Sequence, residues 1–398
     1  MGNKIVLAAS NSSESDQKRA DFVASGKHDE SLINQSIARL PGGGTLQLLD
    51  GDYYIDSFAE EDHTAIHFGY NDGNARAVNF CGDTENKSYN TRFGVSVHVT
   101  QAALESLPPG MTGRVFGGTS RKPDAPGAFF TYTFVNNVNF TNFYLFLADA
   151  SRPVVGLDCR HFGSSYIEQV GIFTEQYFND RFLHRKPQTP AVGCIGICTC
   201  SGSNDEMARI GCSTVDVGGL HTGIYFNHTD HMILSQCSAC RCCYGYWFHG
   251  TPKTITMINC ADEGNTHLPH FCGSSQITSI DFNIERFNAD FIPDDPEGNS
   301  EHGATEEKPG HWRGFISYTL QGKAFDLKSF WASGHGHNIR TVNLSHPRDV
   351  RPENPEFLTT FFDRSTNRTL TWNGSNWVDA MGNPVHFEDD VHKNEIIK

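Results

Sequence analysis

The chain has 398 residues, 38% of them hydrophobic and 38 of them glycine, with a formal net charge of −15 at pH 7. A chain of this length can bury one large core, and its negative charge argues against nucleic acid as a partner. The average field of such a surface favours neutral or basic ligands over strongly anionic ones.

The first residues predict no signal peptide, because the apolar stretch Ile5–Ala9 is too short and follows no basic region of the usual kind. No run of about 18 apolar residues occurs, so the sequence predicts no membrane span. We expect a chain that is cytoplasmic as synthesised, or that leaves the cell by another route such as lysis.

Residues 1–56 are predicted to form an N-terminal cap and the first strand. A helix is expected over residues 30–40, where Ile33, Ile37 and Leu40 fall on one face. A glycine-rich turn at Pro41–Gly44 and an alternating stretch at Gly51–Ile55 follow it. A short amphipathic helix at this place would cover the open end of a solenoid.

This N-terminal stretch resembles the cap of the pectate-lyase superfamily. The resemblance covers residues 20–56 and rests on Asp21–Val23, Leu40–Gly44 and Gly51–Ile55. It implies an all-β fold, a right-handed parallel β-helix, and proteins that act on glycans. The superfamily hosts several reactions, so the resemblance does not imply one of them.

Residues 57–345 carry a phrase that recurs about every 22 residues. Its first half is glycine followed by alternating apolar residues, at Gly156–Cys159, Gly196–Thr199, Gly223–Phe226 and Gly245–Phe248. Its second half is a short apolar strand pattern, at Ile167–Ile172, Met207–Cys212, Met232–Cys237, Ile255–Cys260 and Ile277–Phe282. Units this small bury their apolar face only by stacking, which predicts the β-helix independently of the resemblance.

Two insertions interrupt the repeat, near residues 174–193 and 287–310. Long inserts on a solenoid tend to lie on one face and often carry binding residues. Variable loops or contacts within a trimer are the alternative interpretation.

The chain holds 12 cysteines. Cys212, Cys237 and Cys260 fall at one position of the repeat, which indicates a ladder of buried thiols. The crowding of cysteine at residues 237–243 also fits zinc, but neighbouring residues of a strand face opposite sides and rarely bind one ion together. We therefore expect no metal there.

Counting outward from each second-half phrase places Glu263 beside Glu285 on adjacent coils. Paired carboxylates are the machinery of glycoside hydrolysis, and their proximity separates their pKa values. We predict Glu263, Glu285 and Asp262 as catalytic residues. The same count suggests substrate-binding residues at Arg241, Arg286, Asp216 and Glu175. A ladder of surface charges is the alternative for any one of them. Trp247, an aromatic of the glycine phrase, is a further candidate for substrate binding, with a place in the core as the alternative.

Residues 346–398 are predicted to form a separate tail module. Asn373-Gly374 between Trp372 and Trp377 indicates a hairpin. Together with Asp379–Gly382, this stretch resembles a short module near the C-termini of bacteriophage tail-fibre and tail-spike proteins. The resemblance implies a homotrimeric, particle-borne protein directed at an oligo- or polysaccharide.

Three functions remain open from the sequence. The first is a glycoside hydrolase or depolymerase that uses paired carboxylates and no cofactor. The second is a non-catalytic receptor-binding or structural fibre protein. The third is a polysaccharide lyase, epimerase or fructotransferase, and a lyase would commonly use calcium.

Overall fold

The structure is a computed structural model that describes sixteen ranges of the chain. These are residues 3–68, 77–83, 94–118, 135–159, 162–180, 189–199, 210–227, 230–249, 253–266, 269–271, 276–286, 311–320, 339–342, 360–363, 368–379 and 383–385. The second insertion, residues 287–310, lies outside them.

The described residues form four short helices and many short strands. The helices are α1 Glu14–Arg19, α2 Asp29–Ala38, α3 Gln101–Ser106 and α4 Glu175–Asp180. The strands up to residue 174 are β1 Lys4–Ala8, β2 Phe22–Val23, β3 Gly44–Leu48, β4 Gly51–Ile55, β5 Thr64–His67, β6 Val78–Gly82, β7 Val95–Val99, β8 Gly113–Gly117, β9 Val135–Asn136, β10 Asn139–Leu147, β11 Val154–Cys159, β12 Phe162–Gly163 and β13 Ser165–Thr174.

The later strands continue the same pattern. They are β14 Ile195–Thr199, β15 Ile210–Ser213, β16 Asp216–Gly218, β17 Thr222–Asn227, β18 Asp230–Ser235, β19 Ser238–Cys240, β20 Tyr244–His249, β21 Lys253–Ile258, β22 Ala261–Glu263, β23 His270–Phe271, β24 Gln276–Arg286, β25 His311–Leu320, β26 Ile339–Val342, β27 Thr360–Asp363, β28 Arg368–Trp372 and β29 Trp377–Val378.

Successive coils stack in parallel register. Cys212 pairs with Leu234, Leu234 with Met257, and the next strand continues with Ser279. One coil therefore spans 22 or 23 residues here. One long parallel sheet runs from β1 to β26, and a second runs β5-β8-β11-β14-β17-β20-β23. This arrangement confirms the predicted parallel β-helix.

A column of left-handed residues bends five successive coils at the same place in the long sheet. It consists of residues with φ between 52° and 60°, namely Asn142, Gln169, Thr214, Gln236 and Asn259. The backbone N–H of Gln236 donates to the carbonyl of Ile258 at 2.9 Å, so the coils remain hydrogen-bonded through the bend. The bend divides the outward surface of the sheet into two faces, and the face after it carries the candidate site.

The repeated glycine brings the backbones of successive coils close together. A Cβ atom on Gly196 would lie 2.6 Å from the carbonyl oxygen of Gly223, and one on Gly223 would lie 2.6 Å from that of Gly245. A side chain at either position would collide with backbone, which explains why the first half of the phrase begins with glycine.

The N-terminal cap has the expected helix. α2 buries Ile33 and Ile37, and Leu40 is buried just after it. β1 adds a parallel strand that the sequence prediction did not single out, and it pairs with both β2 and β3. The cap thus packs on the first coil. Among the described helices, none is long and apolar enough to cross a membrane.

The register corrects the sequence alignment of the early repeats. Cys212 pairs with Leu234 rather than with Cys237, so the predicted three-membered cysteine ladder is wrong. Cys237 and Cys260 do share a position, since the pairs on either side of them are in register. All three are buried free thiols. The sequence alignment shifted the early repeats by two or three residues relative to the later ones. Apolar strand patterns look alike after such a shift, so the sequence alone does not reveal it.

The tail contains the expected hairpin. β27 and β28 pair antiparallel, and Trp372 pairs with Trp377 across the turn. Gly374 has φ +95°, and the N–H of Asn373 donates to the carbonyl of Asn376. The turn is therefore a four-residue loop that begins with the Asn-Gly pair.

Candidate active site

The outward face after the bend carries two parallel rows of residues. The first row runs through coil-equivalent positions Asp52, Ser96, Tyr144, Gly171, Asp216, Ser238 and Ala261. The second row, two residues further along each strand, runs through Tyr54, His98, Phe146, Phe173, Gly218, Cys240 and Glu263. Residues between the rows point inward, because strand side chains alternate.

Glu263 and Glu285 occupy neighbouring coils in the second row, as predicted. The side chains of Glu285 and Arg286 lie outside the described part of the structure, so their predicted roles stay predictions. Glu263 is half-buried, and its Oε2 accepts a hydrogen bond from the Cys240 Sγ at 3.2 Å. Since Cys240 belongs to the preceding coil, this bond tilts the Glu263 carboxylate toward that coil.

Asp216 lies two coils before Glu263 and beside Ser238 in the first row. Burial, followed by the charge of Glu263, raises the pKa of Asp216 to about 7. The sequence alignment put Asp216 level with Arg241, whereas the register puts it level with Ser238. The structure thus brings Asp216 and Glu263 into electrostatic contact, a pairing that the shifted alignment had hidden.

Cys240 lies on the coil between the two carboxylates. Its Sγ also lies 3.2 Å from the Ser238 Oγ, and its side chain is 5% exposed. Burial, reinforced by the charge of Glu263, raises the pKa of Cys240 well above its usual value. The group therefore stays a thiol at neutral pH and remains a hydrogen-bond donor to Glu263.

Asp262 points away from this face. Its side chain is fully buried. A Cβ atom on the inward-facing Gly245 would touch both Asp262 and Asn265, which places the carboxylate inside the coil. The alternation of a strand puts Asp262 and Glu263 on opposite sides, so they do not form one site. We leave Asp262 out of the proposed catalytic group.

The backbone of Arg241 is hydrogen-bonded to that of Glu263. It follows Cys240 directly, has φ +49°, and donates its N–H to the carbonyl of Glu263 at 2.9 Å. The position next to Glu263 agrees with the sequence prediction, and substrate binding by its guanidinium stays a prediction.

Glu175 lies elsewhere, at the start of α4. Its Oε1 is 3.0 Å from Nδ1 of His98, and the Nε2 of the same ring is 3.2 Å from Oδ1 of Asp52. His98 is stacked between Tyr54 and Phe146, with ring centroids 5.2 Å apart on each side. Phe146, Phe173 and Gly218 take the row positions between His98 and Cys240, so Glu175 is not level with Glu263. Neither His98 nor Asp52 was anticipated from the sequence.

The start of the first insertion packs over the middle of this face. Phe146, Phe173, Tyr177 and Phe178 form an aromatic cluster outside the coil, with Cys240 at its edge. The ring of Tyr177 sits where a side chain on Gly218 would otherwise be. α4 therefore forms one wall beside Gly218 and Cys240.

Trp247 belongs to the second sheet and not to this face. It pairs with Tyr225 on the preceding coil, and its ring lies 4.6 Å from that of Tyr244. Its side chain is buried. Trp247 and Glu263 therefore belong to different sheets, and a role for Trp247 in substrate binding would require a second site.

Within the described ranges, no group of three or more His, Cys, Asp or Glu side chains has the geometry of a metal site. The cysteines of residues 237–243 alternate between the two sides of their strand, as Cys240 faces outward and Cys237 inward.

Comparison with known proteins yields similarity only at the level of structure. No protein-family model matches the chain, and no curated protein matches its sequence. An iota-carrageenase complexed to iota-carrageenan fragments is 11% identical, with a TM-score of 0.39, and the match covers 83% of this chain and 62% of that one. The tailspike protein of E. coli bacteriophage HK620, in complex with a pentasaccharide, is also 11% identical with a TM-score of 0.39, over 81% of this chain and 53% of that one.

Tailspike protein 3 of bacteriophage CBA120 is 10% identical with a TM-score of 0.24, over 91% of this chain and 68% of its own. The chain thus spans about three fifths and about half of the length of the first two structures. These neighbours are parallel β-helix proteins, and the parallel register of the coils shows that this chain is one too.

Proposed function

We propose that the chain is a glycan-degrading glycoside hydrolase whose catalytic pair is Asp216 and Glu263. The observation that carries the proposal is the raised pKa of Asp216, about 7, on an outward face beside a second carboxylate. A carboxyl group that keeps its proton near neutral pH suits the general acid of glycoside hydrolysis. Carbohydrate ligands in two of the similar structures agree with this class of substrate.

The spacing of the pair suits inversion. Their Cα atoms are two coils and two residues apart, or about 12 Å from ordinary strand dimensions. Glu263 leans toward the coil of Cys240 and hence toward Asp216. Inverting enzymes hold their carboxyl groups about 6.5–9.5 Å apart to admit a water, whereas retaining enzymes hold them at about 5 Å. In this scheme Asp216 protonates the leaving oxygen and Glu263 activates the water.

The test is hydrolysis of a glycan panel by the native protein and by Asp216→Asn and Glu263→Gln. Each substitution should reduce kcat by at least about 100-fold, and NMR of the first product should show an inverted anomeric centre. Glu168→Gln is the matched control, because Glu168 lies on the same sheet before the bend. Unchanged rates in both site variants would remove this pair, and Glu285→Gln then tests the pair predicted from the sequence.

Two other outcomes of that panel point to the alternative functions. Tight binding without cleavage of any glycan favours a non-catalytic receptor-binding protein. Unsaturated products and a requirement for calcium favour a lyase. The proposed hydrolysis itself needs no cofactor.

We further propose that the protein is a homotrimer borne on a phage-type particle. The face before the bend supports self-association, because it exposes large apolar side chains on stacked coils: Tyr166, Ile233, Ile258 and Ile280 are 39%, 55%, 37% and 54% exposed. Ile233→Lys should shift a trimer toward monomer in light scattering, while a monomeric native protein contradicts the proposal.

A further inference from the structure

One coil lies between the two carboxylates of the proposed pair, and two of its side chains face outward there. Ser238 is in register with Asp216 on the preceding coil, and Cys240 is in register with Glu263 on the following coil. They point to the same side because they are two residues apart on one strand. A glycosidic bond that reacts with both carboxylates therefore has to lie across this coil.

The hydrogen bonds on this coil run in one direction. The Sγ of Cys240 lies 3.2 Å from the Glu263 Oε2 and 3.2 Å from the Ser238 Oγ. A thiol carries one hydrogen, and a carboxylate that acts as a base carries none, so the hydrogen of Cys240 points to Glu263. The Ser238 hydroxyl is then the donor to the sulfur. The chain of donors thus leads from Ser238 through Cys240 to Glu263.

Burial strengthens this chain. Cys240 is 5% exposed and lies at the edge of the aromatic cluster under α4. Little water reaches its sulfur, so water competes weakly for the hydrogen bond to Glu263. Burial, followed by the charge of Glu263, raises the pKa of Cys240 well above its usual value, so the donor persists at neutral pH.

We propose that Cys240 is a positioning residue for the catalytic base: its thiol, oriented by the Ser238 hydroxyl, holds the Glu263 carboxylate on the side of Asp216. The inference rests on the proposed function and deepens the account of that site. A glutamate side chain rotates about several bonds, and a donor fixed by packing restricts that rotation before the substrate binds. A displacement of about 1 Å in a catalytic group can cost about 100-fold in rate.

The test replaces Cys240 by serine and by alanine. These variants lose the sulfur alike and differ by one hydroxyl, so their difference isolates the donor. Cys240→Ser should keep kcat within about threefold of the native value, whereas Cys240→Ala should lower kcat at least about tenfold with little change in KM, because a hydrogen bond to a charged group is lost. A role in packing alone predicts the reverse order, since serine places a polar atom beside aromatic rings.

Carbon-13 NMR titration of Asp216 gives a readout that needs no substrate. Without the donor, the charge of Glu263 can move away. The pKa of Asp216 should therefore fall from about 7 to about 6.5 or below in Cys240→Ala and stay near 7 in Cys240→Ser. Cys237→Ala is the matched control that should leave the titration and kcat unchanged, since Cys237 is a buried thiol of the same coil that faces inward.

A double-mutant cycle shows whether Cys240 acts through Glu263. Added to Glu263→Gln, the substitution Cys240→Ala should leave the pKa of Asp216 where Glu263→Gln alone puts it, because no charge remains to be held in place. A further fall in this background would show that Cys240 shields Asp216 from water by itself, and it would overturn the inference.

Ser238→Ala tests the first link and leaves the thiol in place. Ser238 is partly exposed, so this variant should keep the fold, which circular dichroism checks for every variant. It should lower kcat about twofold to fivefold with little change in KM, since the donor to the sulfur is lost but the thiol remains. An unchanged kcat removes Ser238 from the chain.

The outcomes separate the inference from the proposed function. Hydrolysis with equal kcat and equal Asp216 titration in Cys240→Ser and Cys240→Ala overturns the inference and leaves the hydrolase standing. If the native protein cleaves no glycan, the proposed function fails, and the titrations still decide whether the thiol holds Glu263 beside Asp216. A curve that moves in Cys240→Ala alone supports that contact, and identical curves contradict it.

Discussion

At the scale of single residues, the raised pKa of Asp216 suits the proposed general acid but lowers the stability of the fold at alkaline pH. Burial and the charge of Glu263 hold that pKa near 7, above the value of about 3.9 for an unfolded chain. Between those two values the folded state binds the extra proton, so the free energy of unfolding falls as pH rises through this window. The loss of folding stability caused by the Asp216 carboxyl group is therefore greatest above pH 7.

Asp216→Asn should therefore stabilise the protein at alkaline pH while it abolishes hydrolysis. We expect a gain of about 1–3 kcal/mol in the free energy of unfolding above pH 7, allowing for partial solvent screening, and little gain near pH 4. Urea unfolding across pH measures it. An equal effect at all pH values would show that Asp216 titrates normally.

Glu263→Gln should lower the pKa of Asp216, because it removes the neighbouring charge. Burial remains, so the pKa should stay above the usual aspartate value. Carbon-13 NMR titration of the carboxyl group measures the change directly. Glu168→Gln is the control that should leave the titration curve where it is.

His98 gives the opposite pH dependence. Burial alone would lower its pKa, but the hydrogen bonds that its ring donates to Asp52 and Glu175 outweigh burial and leave the pKa raised. Because the folded pKa exceeds the unfolded value of about 6.5, the stabilisation is fully present below that value and is lost as pH rises through the folded pKa.

His98→Gln should then destabilise the protein more in mildly acidic buffer than in alkaline buffer. Thermal unfolding at the two conditions measures the difference. Asp52→Asn is a matched variant that should lower the pKa of His98 in a proton NMR titration. A penalty in His98→Gln that is independent of pH would count against the charged pairing.

At the scale of elements, the left-handed bend shapes the five coils from Asn142 to Asn259. Thr214 occupies this bend with φ +53°, although a β-branched residue is strained there. Thr214→Asn should raise the free energy of unfolding by about 0.5–1 kcal/mol, since asparagine tolerates this conformation. Asn259→Val should lower it by about 1–2 kcal/mol. Chemical denaturation compares the two, and a loss of stability in Thr214→Asn would contradict the argument.

The elements also show which parts of the site could be predicted from sequence. The coils from Met232 onward have few interruptions, so the neighbouring places of Glu263 and Glu285 follow from counting. The long insertion before Ile210 interrupts the regular coil length, so counting fails there. The sequence alignment was shifted by a few residues at this point and did not place Asp216 in its column. The contact of His98 with Glu175 joins residues 77 apart and leaves no local pattern. The side chain of Asp262 points inward because neighbouring residues of a strand face opposite sides, and the sequence prediction did not take this alternation into account.

At the scale of the whole molecule, the core changes along its axis. The early coils are filled by packed phenylalanines, among them Phe68, Phe80, Phe116, Phe140 and Phe143. The later coils replace much of this area with smaller groups such as Cys212, Cys237, Ala239 and Cys260. Buried apolar area stabilises in proportion to its size, so the early coils should be the more stable ones.

Native-state hydrogen exchange tests this gradient. The strands near Phe80 and Phe140 should exchange more slowly than those near Cys237 and Cys260, because a solenoid can open one end independently of the other. Phe226→Ala, which breaks a stacked pair with Phe248 at 4.5 Å, should speed exchange mainly in the coils around it. Uniform exchange along the axis would indicate a single cooperative unit instead.

The constant coil length makes the distance between Asp216 and Glu263 adjustable in discrete steps. Ser238 and Cys240 lie on the one coil between them. Removing that coil as a block of 22 or 23 residues would keep every other residue in its column and reduce the separation of the two Cα atoms from about 12 Å to about 8 Å. Removing a single residue would instead move the buried side chains of a strand to its outer face and the exposed ones into the core. The separation of the proposed pair can therefore change only in whole coils.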